Sequence, residues 1–299
     1  MASAEIGFIG LGNMGGRMSK CIVRNGGTVV GFDTNPVVVA EAGATPVSSI
    51  KDVVAACDVI LLSLPDSRVV EKVVLSDEGI LAHVRDGQIV VDLSTAAPES
   101  TRRIHAALAE KNAAYLDAGI SGGAAAADVG KLTLMVGGET EVLENVRPIL
   151  ENFATNIFYV GDSGAGHVAK LLNNFLNAVS LAATAEVMVA GKKAGLDLAV
   201  LLDVLNKSSG VNFATLNRFP KIITGDYLKG GLTNTLMMKD VVLYTELVSQ
   251  LGMASLNASG PLAAFGLAKA LGYADEISNT VVDAIGDISG GVRLHDTKE

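Results

Sequence analysis

Two cysteines in 299 residues, Cys21 and Cys57, are too few and too far apart for a disulfide framework, a CxxC redox pair or a thiolate metal site. Both read as buried, reduced thiols. Histidine is nearly as scarce: none of His83, His105, His167 and His295 has a sequence neighbour at metal-ligand or triad spacing, so the chain displays no zinc site. Basic residues are outnumbered, 23 Lys and Arg against 32 Asp and Glu for a net charge of -9, which excludes the clustered positive surface that nucleic acid requires. An acidic chain can still bind an anion locally, because a helix N-terminus and a few lysines suffice. No uncharged apolar run reaches the ~20 residues of a membrane span. No basic region or cleavage-site pattern precedes the first strand, so the cytosol is the expected place. Internal repeats and low-complexity blocks are also missing.

What is present is globular. Hydrophobic residues make up 49% and charged residues 18%, over a length that suits one large or two moderate domains. Glu5 to Gly10 (EIGFIG) reads as a buried strand running into Gly10-Leu11-Gly12-Asn13-Met14-Gly15. This is a G-x-G-x-x-G at a strand-to-helix turn. The first glycine permits the tight turn, the second lets the backbone approach a pyrophosphate, and the third allows close helix–strand packing, with the helix N-terminus facing the anion. The pattern alone is weak. Its context is a helical segment (Met14 to Arg24), then Asn25-Gly26-Gly27 and a second strand, Thr28 to Phe32, that ends at Asp33, close to the ~20 residues expected for the acid that binds an adenosine ribose. A carboxylate there accepts hydrogen bonds from both ribose hydroxyls and repels a 2′-phosphate. No Arg follows within Thr34-Asn35-Pro36, so NAD is expected over NADP. The bland alternative is that Asp33 starts a turn before Pro36.

The alternation of strand and helix continues. Pro36 to Ala42 is helix-like, Ala44 to Pro46 a short strand, and Ser48 is the expected N-cap of a helix through Ala56. Cys57 to Leu64 is a buried strand ending at Pro65; Gln88 to Leu93 is another, ending in Ser94-Thr95. Such β-α units imply a mostly parallel, doubly wound sheet, with ligands outside the carboxyl ends of its strands. Leu64, Pro65, Ser94 and Thr95 therefore line the expected cofactor crevice, although Ser94 and Thr95 also read as helix caps ahead of Pro98. After a helix to about Lys111 comes the strand Ala114 to Ala118, then Gly119-Ile120-Ser121-Gly122-Gly123. Ser121, Gly122 and Gly123 offer a hydroxyl and unobstructed backbone N–H groups, a small nest suited to a carboxylate. They read equally well as a flexible turn. Leu132 to Val136 and Asn156 to Val160 are strands flanking a helix from Glu139 to Glu151.

From Gly166 the texture is helical for nearly 30 residues, to about Ala194, with Gly195 as the stop. Such a helix suits a spine between domains. The remainder reads as helices at Asp197 to Asn206, Phe213 to Phe219, Asn234 to Leu251, Pro261 to Leu271 and Asp275 to Ile285, with a frayed tail from His295. The expected division is 1–163, a nucleotide-binding domain; 164–194, the interdomain helix; and 195–299, an all-helical domain. Near the start of the long helix Lys170 and Asn174 stand at i and i+4 on one face, with Asn173 beside them. A lysine in so apolar a context is either a snorkelling surface residue or a chemical group. If the site needs an acid–base residue, Lys170 is the best candidate by elimination. Glu186 falls ~160° round the helix from Lys170 and reads as packing or interface. Lys239-Asp240, within a Leu- and Met-rich helix, reads as a solvated face.

Taken together, these segments resemble the β-hydroxyacid dehydrogenase family of the 6-phosphogluconate dehydrogenase superfamily. The resemblance spans nearly the whole chain: GFIGLGNMG at 7–15, LP at 64–65, DLSTAAP at 92–98, DAGISGG at 117–123 with GKLTLMVGG at 130–138, GAGHVAKLLNN at 164–174, and LMMKD at 236–240. It implies an α/β fold with an N-terminal Rossmann-type domain, a long interdomain helix and an all-α C-terminal domain. It also implies reversible hydride transfer between NAD(H) and a small hydroxy acid or semialdehyde acid, in a homodimer or homotetramer. Lys170 matches the catalytic lysine and Asn174 the asparagine that orients substrate. Ser121, Gly122 and Gly123 match the substrate-carboxylate loop, Thr95 a residue near the nicotinamide, and Lys239 one that closes over the cofactor, which reverses its bland reading. As a proton carrier Lys170 should have its pKa lowered from ~10.4 towards ~7–8 by burial and the oxidised nicotinamide; as a permanent cation it would stabilise an alkoxide. The chain departs from the family's usual Pro at Gly119, Gly at Ala126, Thr at Lys131 and Phe at Leu232. Two other readings stand beside this one: an imine reductase on the same scaffold, against which Lys170 and Asp33 both count, and a non-catalytic NAD-binding module.

Overall fold

A computed structural model describes residues 5–295. The chain divides into two compact units, Met1–Lys170 and Leu171–Glu299. In chain order the first unit contains β1 (Ile6–Ile9), α1 (Asn13–Arg24), β2 (Val29–Phe32), α2 (Pro36–Glu41), β3 (Thr45–Pro46), α3 (Ile50–Ala56), β4 (Val59–Leu62), α4 (Ser67–Leu75) and α5 (Ile80–His83). It continues through β5 (Ile89–Asp92), α6 (Pro98–Ala109), β6 (Ala114–Ser121), α7 (Gly123–Asp128), β7 (Leu132–Gly137), α8 (Thr140–Leu150) and β8 (Ala154–Gly161). The eight strands make one sheet in the order β3-β2-β1-β4-β5-β6-β7-β8. Every pair from β3 to β6 is parallel, while β7 runs antiparallel to β6 and parallel to β8.

The expected doubly wound sheet is therefore present, and its strands are apolar because both faces are covered. Alternate residues enter opposite cores. Phe8, Leu61, Val91, Leu116 and Ala118 pack on one side, and Ile9, Ile60, Leu62, Val90 and Tyr115 on the other. Strand order reverses between β1 and β4, the topological switch point at which such sheets bind ligands.

Several local expectations need correction. The cap of α3 is Ser49, not Ser48: its hydroxyl accepts the Asp52 N–H. Ser94 and Thr95 do not cap α6, whose N-cap is Ala97, without a side-chain bond. The strand β6 runs on through Ser121, and the alanine-rich run behind it forms α7, a helix the sequence pattern did not reveal.

The helix α9 (Ala165–Lys193) begins in the first unit and continues into the second. Gly195, at φ +77°, ends it, with its N–H on Lys192 O and that of Leu196 on Gly191 O, a Schellman-type stop. The second unit adds α10 (Leu198–Asn206), α11 (Phe213–Asn217), α12 (Phe219–Ile222), α13 (Asn234–Gln250), α14 (Ser259–Ala268) and α15 (Val281–Ile288). The expected single helix from Phe213 to Phe219 is two, because Pro220 starts a new turn after Arg218. The expected helix to Leu271 ends in a wide turn, Lys269–Tyr273, broken by Gly272 at φ +96°. One apolar core, including Phe175, Met188, Phe219, Met237, Tyr244 and Phe265, holds these helices together. Of the expected frayed tail, His295 is tied to the Tyr227 hydroxyl at 3.1 Å, and residues 296–299 lie outside the described residues.

Candidate active site

The carboxyl ends of four strands fall on one register line. Phe32, Ile9, Leu62 and Asp92 are paired across β2, β1, β4 and β5, so Asp33, Gly10, Ser63 and Leu93 each stand one residue beyond. The backbone of this edge stays laced: Gly10 N–H donates to Phe32 O, Ser63 N–H to Ile9 O and Leu93 N–H to Leu62 O.

The glycine turn sits on this line. Gly10 has φ +88°, and a Cβ there would meet Ser63 O at 2.4 Å. A Cβ on Gly15 would meet Gly10 O at 1.9 Å, which is why α1 can lie against the turn it follows. A Cβ on Gly12 would meet nothing within 4 Å, so its smallness serves no internal packing. Gly12 is the N-cap of α1, brings no side chain to its donors, and the first turn holds no acidic residue. That combination fits a phosphate group from outside. The Asp33 carboxylate takes Leu11 N–H on Oδ2 at 2.7 Å and Asn35 N–H on Oδ1 at 2.8 Å. It therefore anchors the turn itself, and each oxygen keeps a second lone pair with which to meet a ribose hydroxyl. Leu64 follows β4; its N–H donates to the Ser94 hydroxyl at 3.0 Å, so Ser94 joins two crevice loops rather than capping a helix. Pro65 is exposed beside it, and Thr95, half-buried, lies in the β5–α6 loop. Asn13 and Met14 open α1, with the Asn13 side chain accepting from Arg17 Nε.

The β6 strand leads to the second part. Ser121 is its last residue, half-buried, paired with Thr133 of β7. Gly122 at φ +125° and Gly123 at φ +66° then turn the chain into α7. A Cβ at Gly122 would meet the Ala126 Cβ at 2.7 Å, so Ala126 requires the glycine before it. Lys131 is exposed just before β7, and Leu232 packs at the edge of the helical core.

Lys170 is only 8% exposed, so the snorkelling alternative does not hold. It lies against β6: a Cβ on Gly119 would fall 2.5 Å from the Lys170 Cβ. One turn earlier on α9, His167 belongs to a buried polar group that sequence spacing could not reveal. His167, fully buried, has Nδ1 at 2.7 Å from Thr101 Oγ1 and Nε2 at 3.9 Å from Asp92 Oδ2. Asp92 also accepts the Tyr115 hydroxyl at 2.8 Å. Burial first, and then Asp92 beside it, push the Tyr115 phenol well above its ordinary pKa, so it stays a donor.

In the helical unit, Asn174 is buried and donates through Nδ2 to the Asp240 carboxylate. Asp240 is 1% exposed, with Lys239 Nζ at 3.0 Å from its other oxygen. Lys239-Asp240 is therefore no solvated face; Asp240 joins the two residues singled out from the sequence, Asn174 and Lys239. Among the described residues no group of three His, Cys, Asp or Glu side chains gathers as a metal site. No helix of the described residues is long and apolar enough to cross a membrane.

Residues 5–161 match the NAD binding domain of 6-phosphogluconate dehydrogenase, and residues 164–284 match a domain described as NAD-binding of NADP-dependent 3-hydroxyisobutyrate dehydrogenase. An NAD-dependent L-serine dehydrogenase of Pseudomonas aeruginosa is 41% identical over 91% of this chain and 94% of its own. A 3-hydroxyisobutyrate dehydrogenase of the same organism is 41% identical over 80% of this chain and 83% of its own. The solved 3-hydroxyisobutyrate dehydrogenase of Mycobacterium tuberculosis with L-serine superposes with a TM-score of 0.82 at 30% identity, covering 96% of this chain and 99% of that one. With the strand-end register, the glycine turn and the likeness over most of the chain in agreement, the chain belongs to the β-hydroxyacid dehydrogenase family of NAD(P)-dependent oxidoreductases acting on CH–OH groups.

Proposed function

We propose that the chain oxidises the hydroxyl of a small 3-hydroxy acid reversibly, with NAD rather than NADP, and that Lys170 carries the proton. The observation that supports this most is the burial of Lys170 against Gly119, on the strand that ends at Ser121, just before Gly122 and Gly123. The Lys170 side chain, from α9, thus lies against the strand that leads into this open backbone turn, and as the proton acceptor it acts as the neutral amine. The nicotinamide, when bound, supplies the hydride acceptor. Lys170 takes the hydroxyl proton as the C–H bond breaks, leaving an aldehyde acid. Ser121 Oγ and the N–H groups of Gly122 and Gly123 hold the substrate carboxylate. Asn174, its amide end fixed by Asp240, orients the substrate. Gly10, Leu11, Gly12, Asn13, Met14 and Gly15 hold the pyrophosphate, Asp33 the ribose, and Leu64, Pro65, Thr95 and Lys239 the remainder of the cofactor. The chemistry needs no metal ion in this scheme.

Both L-serine and 3-hydroxyisobutyrate are 3-hydroxy acids, so they head the panel of substrates. Lys131, exposed just before β7 and standing where the family usually has Thr, would bias that choice by its added charge. Exposed apolar residues on the helical unit, including Val200, Val204 and Phe213, support a homodimer or homotetramer, which light scattering after gel filtration would size. We assign the protein to the cytosol.

The test is turnover of three- and four-carbon hydroxy acids and semialdehydes with NAD and NADP, for the parent and Lys170→Met. The expected result is NAD-linked oxidation of at least one 3-hydroxy acid, lost in Lys170→Met while NADH still binds. Near-normal turnover in Lys170→Met would remove the lysine from the mechanism, and preference for NADP would overturn the role of Asp33.

A further inference from the structure

Leu116 and Ala118 of β6 enter one core and Tyr115 the other, so Asp117, Gly119 and Ser121 share the face of Tyr115. The first turn of α9 lies on that face. Asp117 is fully buried, and its Oδ1 accepts the Gly164 N–H at 2.7 Å while Oδ2 accepts the His167 N–H at 2.8 Å. With α9 beginning at Ala165, these are the N-cap and N3 donors, the two that a capping box satisfies. Gly164 has no side chain for the purpose. A single carboxylate from a strand 47 and 50 residues upstream serves both.

The helix backbone rests on the strands. A Cβ on Gly166 would fall 2.3 Å from Asp117 O and 2.5 Å from Met135 O. Two residues further along β6, a Cβ on Gly119 would fall 2.5 Å from Lys170 Cβ and 3.0 Å from its Cγ. The next residue on the same face is Ser121. Strand and helix thus advance together, about 6.7 Å from Asp117 to Gly119 and about 4.5 Å from His167 to Lys170. Rotation about the helix axis is opposed separately, by His167 Nδ1 on Thr101 Oγ1 at 2.7 Å.

We propose that this face of β6 is a ruler for the lysine: Asp117 sets how far along the strand α9 begins, and the missing side chain at Gly119 sets how close the Lys170 stem lies. Asp117 and Gly119 are then positioning residues that act through Lys170, aligning its amine with Ser121 on the same strand face. This rests on Lys170 being the proton carrier.

The experiment compares Gly119→Ala, Asp117→Asn and Lys170→Met with the parent, using L-serine and 3-hydroxyisobutyrate as probes. Melting temperature, NADH affinity by fluorescence titration, kcat, KM and the D2O solvent isotope effect on kcat are measured. In Gly119→Ala and Asp117→Asn the expected result is a kcat lower by about 100-fold, the scale of a misplacement near 1 Å, with NADH affinity unchanged. The solvent isotope effect should rise above the parent's, because proton transfer to a displaced amine becomes slow; a purely structural role would not move it. Should Asp117→Asn fail to fold, Gly119→Ala, which adds one methyl group, carries the test. A folded Gly119→Ala with parental kcat overturns the ruler, as does a fall in kcat matched by an equal loss of NADH affinity. If Lys170→Met is active, the proton carrier itself is wrong; if it is dead while Gly119→Ala is unimpaired, only the ruler is.

Discussion

Helices α1 and α9 both start at a G-x-G, α1 just after Gly10 and Gly12 and α9 between Gly164 and Gly166, and each lies near an aspartate from a strand end or strand. Near α1 the aspartate is Asp33, and it takes N–H groups of Leu11 and Asn35, outside the helix. Near α9 it is Asp117, and it takes the N-cap and N3 donors themselves. The positive end of the α9 dipole thus meets an internal carboxylate, whereas the first turn of α1 carries no acid. Glycine spacing alone therefore does not mark an anion site. What marks it is where the nearest carboxylate lands.

The largest break in this comparison should come from adding a methyl group where helix meets backbone. Gly15→Ala, 1.9 Å from Gly10 O, and Gly166→Ala, 2.3 Å from Asp117 O, should each cost about 3 kcal/mol or more in urea denaturation, because neither oxygen can give way cheaply. Asp117→Ala should follow, at about 2–4 kcal/mol, since it strands two buried N–H donors. Gly12→Ala sharpens the contrast from the other side. Its Cβ meets nothing within 4 Å, so melting should be unchanged while NADH dissociation rises about tenfold, or ~1.4 kcal/mol. Equal stability losses in Gly12→Ala and Gly166→Ala would mean that the two turns do the same work. The smallest effect belongs to Arg17→Gln. Its half-exposed pair with Asp128 links α1 to α7, and its loss should lower stability by less than about 1 kcal/mol.

The same contrast explains what could be read from the sequence. Strand and helix alternation, the glycine turn and Asp33 rest on local periodicity and a spacing of some twenty residues, and the sheet follows them. Lys170 and Asn174 were visible as polar groups in an apolar helix. Their supports were not. Asp117 looked like one more residue of a strand, His167 like an unpaired histidine and Asp240 like half of a surface pair. Each acquires its role from a partner 47 to 66 residues away, and no local pattern encodes that. Boundaries failed for a related reason. β6 extends past Gly119 to Ser121 because β7 pairs with it, and Pro220 and Gly272 divide helices whose apolar spacing runs on.

The cap on α9 also has a kinetic meaning. A helix capped by its own neighbours can form its first turn alone, but this one must wait for a strand some fifty residues upstream, a contact that closes a long loop. The amide protons of Gly164 and His167 are consequently reporters of β6 rather than of the helix that contains them. In native-state hydrogen exchange they should exchange in step with the strand amides of Leu116 and Ala118, and the first turn of α9 should be among the last parts of its unit to become protected during folding.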